Sequence, residues 1–378
     1  MIYADHAATT KISETAKLAM LSAMEKDWYN PSSLYTPGQQ ASGTLMDARV
    51  RIARCLGCLP KEIYFTSGGS EADNQAILSA AAIGKRQGKM HIISTAFEHH
   101  AVLHTLKKLE KEGFEITLLD VGEKGIVSLA QVEKAIRPDT ALVTVMYANN
   151  EIGTIQPIRE IGAVCRQNGV LFHTDAVQAA GHLPINVKED QIDMLSLSAH
   201  KFNGPKGIGV LYAKTGVFLT NLIEGGEQER GKRAGTENLP AIVGMAAALE
   251  EACALQKERS IYVTKLRDQL IAGLKKISGA LLNGDETRRL PGNVNFCFPD
   301  TEAEGLLLLL DNKGICASSG SACTSGFLDP SHVLLAIGRD PQTARGSLRL
   351  TLDYENTPEE VETIIEAVTD TVRILRGC

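Results

Sequence analysis

The sequence predicts an α/β fold with a mainly parallel, seven-stranded sheet and a smaller α+β C-terminal domain. Between residues 63 and 214, short apolar runs alternate with amphipathic stretches. Strand–helix alternation of this kind builds a mainly parallel sheet that is covered by helices on both faces. Beyond residue 257 the pattern changes to a long polar helix, a turn-rich segment and then a few mixed elements.

Seven apolar runs have the length and composition of strands. They are Ile63–Thr66, His91–Thr95, Glu115–Val121, Ala141–Tyr147, Val170–Thr174, Asp193–Ser198 and Ile208–Tyr212. Amphipathic stretches such as His100–Glu112 and Ile158–Asn168 predict the covering helices. Only Lys201–Gly207 separates the last two runs, which is too short for a helical crossover, so we expect that pair to be antiparallel.

A second domain is predicted after a long polar helix that we expect to begin near Gln256. Its expected elements are the strands Val294–Phe298 and Ser347–Leu352, a helix around Glu302–Asn312, and a final helix that opens with Thr357-Pro358-Glu359-Glu360. The last motif combines a capping-box spacing with proline at the first helical position. We expect a large domain over residues 13–256 and a small domain formed by residues 1–12 and 257–378.

Composition narrows the class of protein. The chain has 378 residues, which is more than one ordinary domain, and a formal net charge of −6. An acidic balance gives no reason to expect a nucleic acid or an anionic membrane as partner. The N-terminus has neither a basic nor an apolar leader segment, and the longest aliphatic run, Leu306–Leu310, is too short to span a bilayer. We expect a cytoplasmic enzyme.

The eight cysteines do not form the pattern of a disulfide framework. Cys165, Cys253 and Cys297 lie in periodic apolar segments, which predicts that they are small core residues. Cys55 and Cys58 form a C-x-x-C pair inside a predicted helical stretch, Asp47–Leu59, without a second pair at zinc spacing. A structural role is favoured for that pair over a redox or metal site.

Cys323 differs from the other cysteines because it lies in a run of small residues, Ser318–Gly326. Such a run cannot pack a core, so it predicts a mobile loop. A cysteine in a mobile loop is a candidate for a reactive thiol.

Ligands of open α/β sheets bind beyond the carboxyl ends of the strands, and polar residues follow several of the predicted strands. A small-residue turn, Thr66–Asn74, precedes a helix and is suited to bind a phosphate, although a Ser/Gly helix cap would give the same pattern. His99 is the first histidine after the second strand and could stack on a ring or move a proton. His100 and His104 have zinc spacing, but the glutamate of the metalloprotease motif is absent.

Two further residues indicate the kind of ligand. Asp175 lies directly at the end of a predicted buried strand, Val170–Thr174, where a carboxylate requires a cationic partner such as a protonated pyridine nitrogen. Lys201 follows the end of the next predicted strand and is favoured over Lys206 as a Schiff-base lysine because of that position. Together, the turn, Asp175, Lys201 and His99 predict a pyridoxal-phosphate site.

With these motifs, the sequence resembles the cysteine desulfurases of the NifS/IscS type, which are fold type I enzymes like aspartate aminotransferase. The motifs that carry the resemblance are Tyr3–Thr10, Asn30–Ser33, Phe65–Glu71, Glu98-His99, Asn149–Gly153, Asp175–Gln178, Ser198–Lys201, Arg233–Thr236 and Ser318–Gly326. The last of these separates desulfurases from aminotransferases of the same fold.

The resemblance implies a role for each matched residue. Lys201 would bind the cofactor covalently, Asp175 its pyridine nitrogen and Gln178 its phenolic oxygen, while His99 would stack on the ring. The phosphate ligands would be Gly69, Ser70, Ser198 and His200, with Thr236 donated by the other subunit of a homodimer. Asn150, which also contacts the cofactor, and Arg349 would bind the substrate carboxylate.

The expected reaction converts L-cysteine to L-alanine and leaves a persulfide on Cys323, which passes its sulfur to an acceptor. The acceptor could belong to iron–sulfur assembly, tRNA thiolation or nitrogenase maturation, and Cys323 could also ligate an iron–sulfur cluster transiently. The alternatives are a selenocysteine lyase, an aminotransferase or lyase of the same fold, and an assembly platform without catalysis.

Overall fold

The computed structural model describes residues 1–320 and 330–377. One seven-stranded sheet has the strand order β2-β8-β7-β6-β5-β3-β4. Its strands are β2 (Ile63–Thr66), β3 (His91–Thr95), β4 (Glu115–Leu119), β5 (Thr140–Thr144), β6 (Leu171–Asp175), β7 (Met194–Ser198) and β8 (Gly209–Ala213). Only β8 runs against its neighbours, which confirms the mainly parallel sheet and the antiparallel last pair.

Helices cover both faces of this sheet. They are α1 (Glu14–Lys26), α2 (Thr36–Leu56), α3 (Gly69–Arg86), α4 (His100–Lys111), α5 (Leu129–Ala135), α6 (Ile158–Gln167), α7 (Gln228–Gly231) and the first half of α8 (Leu239–Leu274). Successive strand residues point to opposite faces. Accordingly, Leu195 and Tyr212 join one buried cluster with α2 and α8, whereas Met194 and Leu211 join another with α3 and α4.

A second set of elements packs around a separate apolar cluster. They are β1 (Ile2–Tyr3), β9 (Leu281–Leu282), β10 (Asn293–Cys297), β11 (Ile315–Cys316), β12 (Ser347–Thr351), α9 (Ala303–Asn312) and α12 (Pro358–Leu375). The short helices α10 (His332–Ala336) and α11 (Pro341–Arg345) follow in the same part of the chain, but their buried side chains join the cluster of the large sheet. Strands β12, β10 and β9 form one antiparallel sheet, and β1 pairs with β11 in parallel. The predicted capping box is present, since Thr357 and Glu360 bond reciprocally at the start of α12.

Helix α8 corrects the predicted helix start at Gln256, because it already begins at Leu239 behind an Asn238 cap. Its first half is apolar on nearly every side, so the sequence lacks the amphipathic pattern that marks a surface helix. That half packs in the cluster of the large sheet, and residues from Val263 onward pack in the second cluster. The predicted boundary between residues 256 and 257 lies inside this continuous helix, and the domain division stays a prediction.

Two strands end earlier than the sequence predicts, and side chains explain both ends. Strand β4 ends at Leu119 because the Asp120 carboxylate accepts the amide of Gly122, which turns the chain. Strand β5 ends at Thr144, and the amide of Met146 donates to the buried Glu98 carboxylate instead of to a neighbouring strand.

The cysteine predictions are right in part. Cys165 and Cys297 are buried, as predicted, but Cys253 is exposed. Its side chain lies at the packing surface between α8 and α2, where it contacts the Cys55 thiol. Helix α2 ends at Leu56 because Gly57 adopts a left-handed φ of 72°, so Cys58 lies beyond the helix that was predicted to contain it.

Helix α8 is also long and apolar enough to cross a membrane by length and composition, and it is the one such helix in the described residues. Of its most apolar window, 56% is buried inside the molecule. Its packing against both clusters is that of a core helix.

A buried ion pair fastens the segment before α8 to the large sheet. Both terminal nitrogens of Arg49 donate to the Glu229 carboxylate, at 2.6 and 2.8 Å, and Glu229 also accepts the amide of Phe65. We predict that Arg49→Ala lowers the free energy of unfolding by about 3–5 kcal/mol, because it leaves a buried carboxylate without its cation.

Urea denaturation checks this prediction, with Arg137→Ala as the control. Arg137 makes a similar fork with Glu115 at the protein surface, and its loss should cost about 1 kcal/mol or less. Equal losses for the two variants would contradict the assignment of a buried, structural pair.

Candidate active site

The carboxyl ends of the parallel strands open into a cavity of about 1130 Å³. Ten of the residues predicted from the sequence line it: Gly69, Ser70, His99, Asn150, Asp175, Gln178, Ser198, His200, Lys201 and Arg349. Thr236 is exposed and does not line the cavity formed by the described residues of one chain. Cys323 lies outside the described residues, as do residues 321–326 of the predicted mobile loop. The first three residues of that loop, Ser318, Ser319 and Gly320, are described and are buried.

Lys201 lies in a short turn directly after β7, and its amine contacts the N-terminal segment. The Nζ atom donates to the carbonyl oxygens of Ala7 at 2.6 Å and Ala8 at 2.8 Å. The side-chain Nε2 atom of Gln178 donates to the same Ala7 oxygen at 3.0 Å. The N-terminal segment therefore holds both predicted cofactor ligands, a role that its motif alone did not reveal.

Asp175 is the last residue of β6, and burial raises the pKa of its carboxyl. The Oδ1 atom accepts the amide of Val177 at 2.9 Å, and the charges of His99 and Lys201 oppose the effect of burial. A carboxylate in this position favours a cation within the cavity.

The start of α3 forms one wall. Helix α3 begins at Gly69, and its first backbone N–H groups have no partner within the helix, so this end attracts an anion. A Cβ atom on Gly69 would come within 2.7 Å of the Val177 side chain, so the close approach of this turn to the segment that follows β6 favours glycine.

His200 lies next to that wall, and one of its ring nitrogens lies 3.1 Å from the Thr9 hydroxyl. Burial and the neighbouring Lys201 and Lys206 lower the pKa of His200 to about 4. The ring is therefore neutral at pH 7 and can contribute a neutral N–H donor to an anion.

His99 caps the N-terminus of α4. Its Nδ1 atom accepts the amide of Ala101 at 3.1 Å. In the neutral ring, the proton must then lie on Nε2. In that tautomer, Nε2 is the hydrogen-bond donor of the ring.

Arg349 lies on β12, is buried, and faces the cavity from the second set of elements. One terminal nitrogen donates to the Asp5 carboxylate at 2.9 Å and the other to the carbonyl of Asn150 at 3.1 Å, while Nε is buried without a hydrogen-bond partner. A substrate carboxylate at this guanidinium would therefore share it with Asp5.

The structure adds cavity residues that sequence analysis did not name individually as ligands of the cofactor or substrate: Ala7, Ala8, Asp73, Glu151, His100, His104 and His332. Glu151 is buried, which raises its pKa, and it accepts the Ser331 hydroxyl. A Cβ on Gly320 would collide with its carboxylate. The only sequence signal for Glu151 was its place in the Asn149–Gly153 turn.

The zinc alternative finds no support in the part of the chain that the structure describes, where no group of three or more potential metal ligands is placed to hold an ion. The rings of His100 and His104 lie 5.1 Å apart and those of His100 and His332 lie 4.5 Å apart. Burial and the neighbouring histidines lower the pKa of His100 to about 4.

Pyridoxal phosphate fits the residues of this cavity. The buried Asp175 carboxylate supplies the counter-charge for a protonated ring nitrogen, and the Gly69 turn leaves room for a phosphate at a helix N-terminus. Lys201 supplies an amine in the same cavity. These three requirements meet in one cavity, which supports the cofactor predicted from the motifs.

Comparison with known proteins agrees with this geometry. The aminotransferase class-V family model matches residues 2–364. The chain therefore belongs to the class-V aminotransferase family, whose enzymes use pyridoxal phosphate.

Individual relatives narrow the group. The chain is 51% identical over 376 residues to the cysteine desulfurase IscS of Methanosarcina thermophila, which covers 100% of this chain and 93% of that protein. A solved NifS-like protein has a TM-score of 0.92 at 36% identity, with 99% of each chain covered. A structure of SspA in complex with cysteine has a TM-score of 0.82 at 36% identity, covering 93% of this chain and 99% of that one. Within the class-V family, the chain belongs to the cysteine desulfurases of the NifS/IscS type, which confirms the predicted family and fold.

The Gly69 turn generates a prediction about cofactor affinity. Gly69→Ala places a methyl group against the Val177 side chain, so either the turn or the Val177 side chain after β6 must shift. We expect pyridoxal phosphate to bind about tenfold more weakly, the cost of about 1.4 kcal/mol that modest overpacking produces. Titration of cofactor into the stripped protein measures the change.

Gly43→Ala is the matched control, since a Cβ on Gly43 in α2 meets nothing within 4 Å. Its cofactor affinity should equal that of the wild type. An unchanged affinity in Gly69→Ala would show that the phosphate does not bind at this turn.

Proposed function

We propose that the protein takes sulfur from L-cysteine, releases L-alanine and carries the sulfur as a persulfide on Cys323. The observation that carries this proposal is the single cavity in which Lys201, Asp175 and Arg349 meet. Lys201 and Asp175 are residue types that bind pyridoxal phosphate, which in turn binds an amino-acid substrate. Arg349 can bind the carboxylate of that substrate. The solved relative described as a complex with cysteine supports the choice of substrate.

Bound pyridoxal phosphate supplies an electron sink for the electron pair released at the substrate Cα. Lys201 removes the Cα proton through Nζ, once that atom has left the Ala7 and Ala8 carbonyls. Asp175 holds the proton on the ring nitrogen. His99, with its proton on Nε2, moves protons between substrate and solvent.

The Cys323 thiolate then attacks the substrate sulfur. A sulfur–sulfur bond forms, the bond between Cβ and the substrate sulfur breaks, and the carbon retains the electron pair. Proton uptake at Cβ completes alanine. The atoms balance, since one cysteine and one thiol yield one alanine and one persulfide.

A homodimer with shared active sites completes this proposal. One face of α1 and the segment after it expose large apolar side chains, among them Leu18, Leu21, Met24, Trp28 (67% exposed) and Leu34 (92% exposed). A patch of this kind marks an interaction surface. A second copy on it agrees with Thr236, which is exposed and does not line its own cavity.

The sulfur acceptor we propose is a scaffold protein of iron–sulfur assembly, as the resemblance to the NifS/IscS type implies; a relative at 51% identity is named cysteine desulfurase IscS. We also propose that Cys323 ligates an iron–sulfur cluster transiently during transfer. The proposed location is the cytoplasm, and no nucleic acid or membrane is proposed as a partner. Transfer of the sulfur to tRNA thiolation or nitrogenase maturation would require the same chemistry up to the persulfide.

The first test is the release of alanine and sulfide from L-cysteine with a reductant present. Cys323→Ala should keep the yellow cofactor and lose at least about 100-fold in turnover, because the nucleophile is removed while the cofactor site is intact. Cys253→Ala removes an exposed thiol elsewhere and should match the wild type. Full turnover in Cys323→Ala would favour a lyase or aminotransferase, and a strong preference for selenocysteine would favour a selenocysteine lyase.

A second test concerns the carboxylate of the substrate. Arg349→Lys retains the charge but loses the fork that can serve both Asp5 and a substrate. We expect KM for L-cysteine to rise about tenfold or more, with a smaller change in kcat, because a planar bidentate contact is lost. Steady-state kinetics measure both constants, and an unchanged KM would place the substrate carboxylate elsewhere.

A further inference from the structure

Glu151 is a buried carboxyl residue of the active-site cavity to which the proposed mechanism gives no role. It lies in the turn Asn149–Gly153, is 3% exposed, and lines the cavity. Its carboxyl group contacts parts of the chain that are distant in sequence. Those parts are the two ends of the described chain on either side of Cys323.

The first contact is with Ser331, which follows the segment that carries Cys323. The Ser331 hydroxyl is buried and donates to Oε2 of Glu151. The same hydroxyl oxygen accepts the amides of Val333 and Leu334 at the start of α10. Since a hydroxyl has one proton to donate, these partners fix its direction, and the start of α10 is fastened to the Glu151 carboxyl group.

The second contact is with Gly320, the last described residue before Cys323. A Cβ atom at this position would collide with Oε2 of Glu151, so the Gly320 backbone passes directly against the carboxyl group. Two residues earlier, the Ser318 amide donates to the carbonyl of Arg349 at 3.1 Å, and the Arg349 amide donates back to the Ser318 carbonyl. This end of the chain is therefore held between Glu151 and β12.

The backbone of Glu151 is held independently of its side chain. The Asn149 side-chain oxygen accepts the Glu151 amide at 2.8 Å. The Glu151 carbonyl accepts the side-chain amides of Asn293 and Asn295, each at 3.1 Å. Loss of the carboxyl group should therefore leave the turn, and Asn150 within it, in place.

We infer that Glu151 is a positioning residue for the step in which the Cys323 thiolate attacks the substrate sulfur. It contacts the chain at Gly320 and at Ser331, from the turn that also carries the predicted substrate ligand Asn150. The reach of the thiol toward the substrate depends on where these two ends are fixed, and attack requires the reacting atoms to lie about 3–3.5 Å apart. The inference rests on the proposed function and adds a residue to its machinery.

The test compares two reactions of the full-length holoenzyme, only one of which uses Cys323. Alanine formation from one equivalent of L-cysteine requires the thiol, whereas exchange of the Cα proton of L-alanine in deuterated water requires the cofactor and Lys201 alone. For Glu151→Ala, we expect alanine formation to slow about 100-fold, the effect of misplacing a reacting group by about 1 Å. The exchange rate and the affinity for pyridoxal phosphate should stay within about twofold of wild type.

Glu151→Gln separates positioning from acid–base catalysis. The amide oxygen can still accept the Ser331 hydroxyl but cannot carry a proton, so we expect alanine formation to recover to within about fivefold of wild type. A loss as large as that of Glu151→Ala would overturn the inference, because Glu151 would then act as a proton carrier. Equal losses in both reactions of Glu151→Ala, or no loss in either, would overturn it as well.

Glu62→Ala is the matched control. Glu62 is also a buried carboxyl residue, 6% exposed, and it accepts a hydroxyl, that of Thr215, at 2.7 Å. It does not line the cavity. Both reactions should therefore keep their wild-type rates in this variant.

Gly320→Ala provides a second variant in case Glu151→Ala does not fold. Its methyl group displaces the Glu151 carboxyl group from the other side of the contact. We expect the same selective loss of alanine formation, and an equal loss of proton exchange would again overturn the inference. Failure of the proposed function is distinguishable, since wild type itself would then form no alanine from L-cysteine.

Discussion

The desolvated carboxyl group of Asp175 is the constraint on which the arrangement of the site depends. A carboxylate at the end of a fully buried strand is costly unless a cation neutralises it. The parallel sheet provides that position, since β6 lies in its middle and its carboxyl end opens into the cavity. A protonated pyridine ring offers both a positive charge and an apolar face, so it satisfies the carboxyl group and fills the space in front of it.

The same cavity depends on parts of the chain that are distant in sequence. The N-terminal segment supplies the carbonyls that receive the Lys201 amine, and β12 supplies Arg349. Asp5 and Arg349 form an ion pair that links these two contributions. Substrate binding at Arg349 must therefore alter contacts of the N-terminal segment, which also holds Lys201. This connection offers a physical route by which an amino-acid carboxylate could help to free the lysine amine for proton removal.

Much of the fold and site could be predicted because strong local patterns mark them. The strands of the large sheet are short apolar runs, and polar residues at their carboxyl ends meet by the geometry of a parallel sheet. The start of α8 at Leu239 was missed because a helix that is buried on nearly every side lacks the regular spacing of polar residues that marks a surface helix. The prediction that Cys253 lies in the core was wrong. The packing of α8 against α2 decides which face of α8 is buried, and the apolar sequence around Cys253 does not contain that information.

Other features depend on long-range contacts that no local pattern contains. The carbonyls of Ala7 and Ala8 became visible as ligands only once the N-terminus was placed beside β7. Asp73 was read as part of a phosphate-binding turn, whereas its burial and its unbonded oxygen are properties of the packed sheet. Thr236 cannot be placed at a site from one chain alone, and Cys323 lies outside the described residues, so both roles stay predictions.

The most direct measurement of the central claim is peptide mass spectrometry after one equivalent of L-cysteine is added to the purified holoenzyme without reductant. If the sulfur passes to Cys323, the peptide that contains this residue gains one sulfur atom in proportion to the alanine formed. Alanine formation with the added sulfur on another cysteine, or on none, would contradict it.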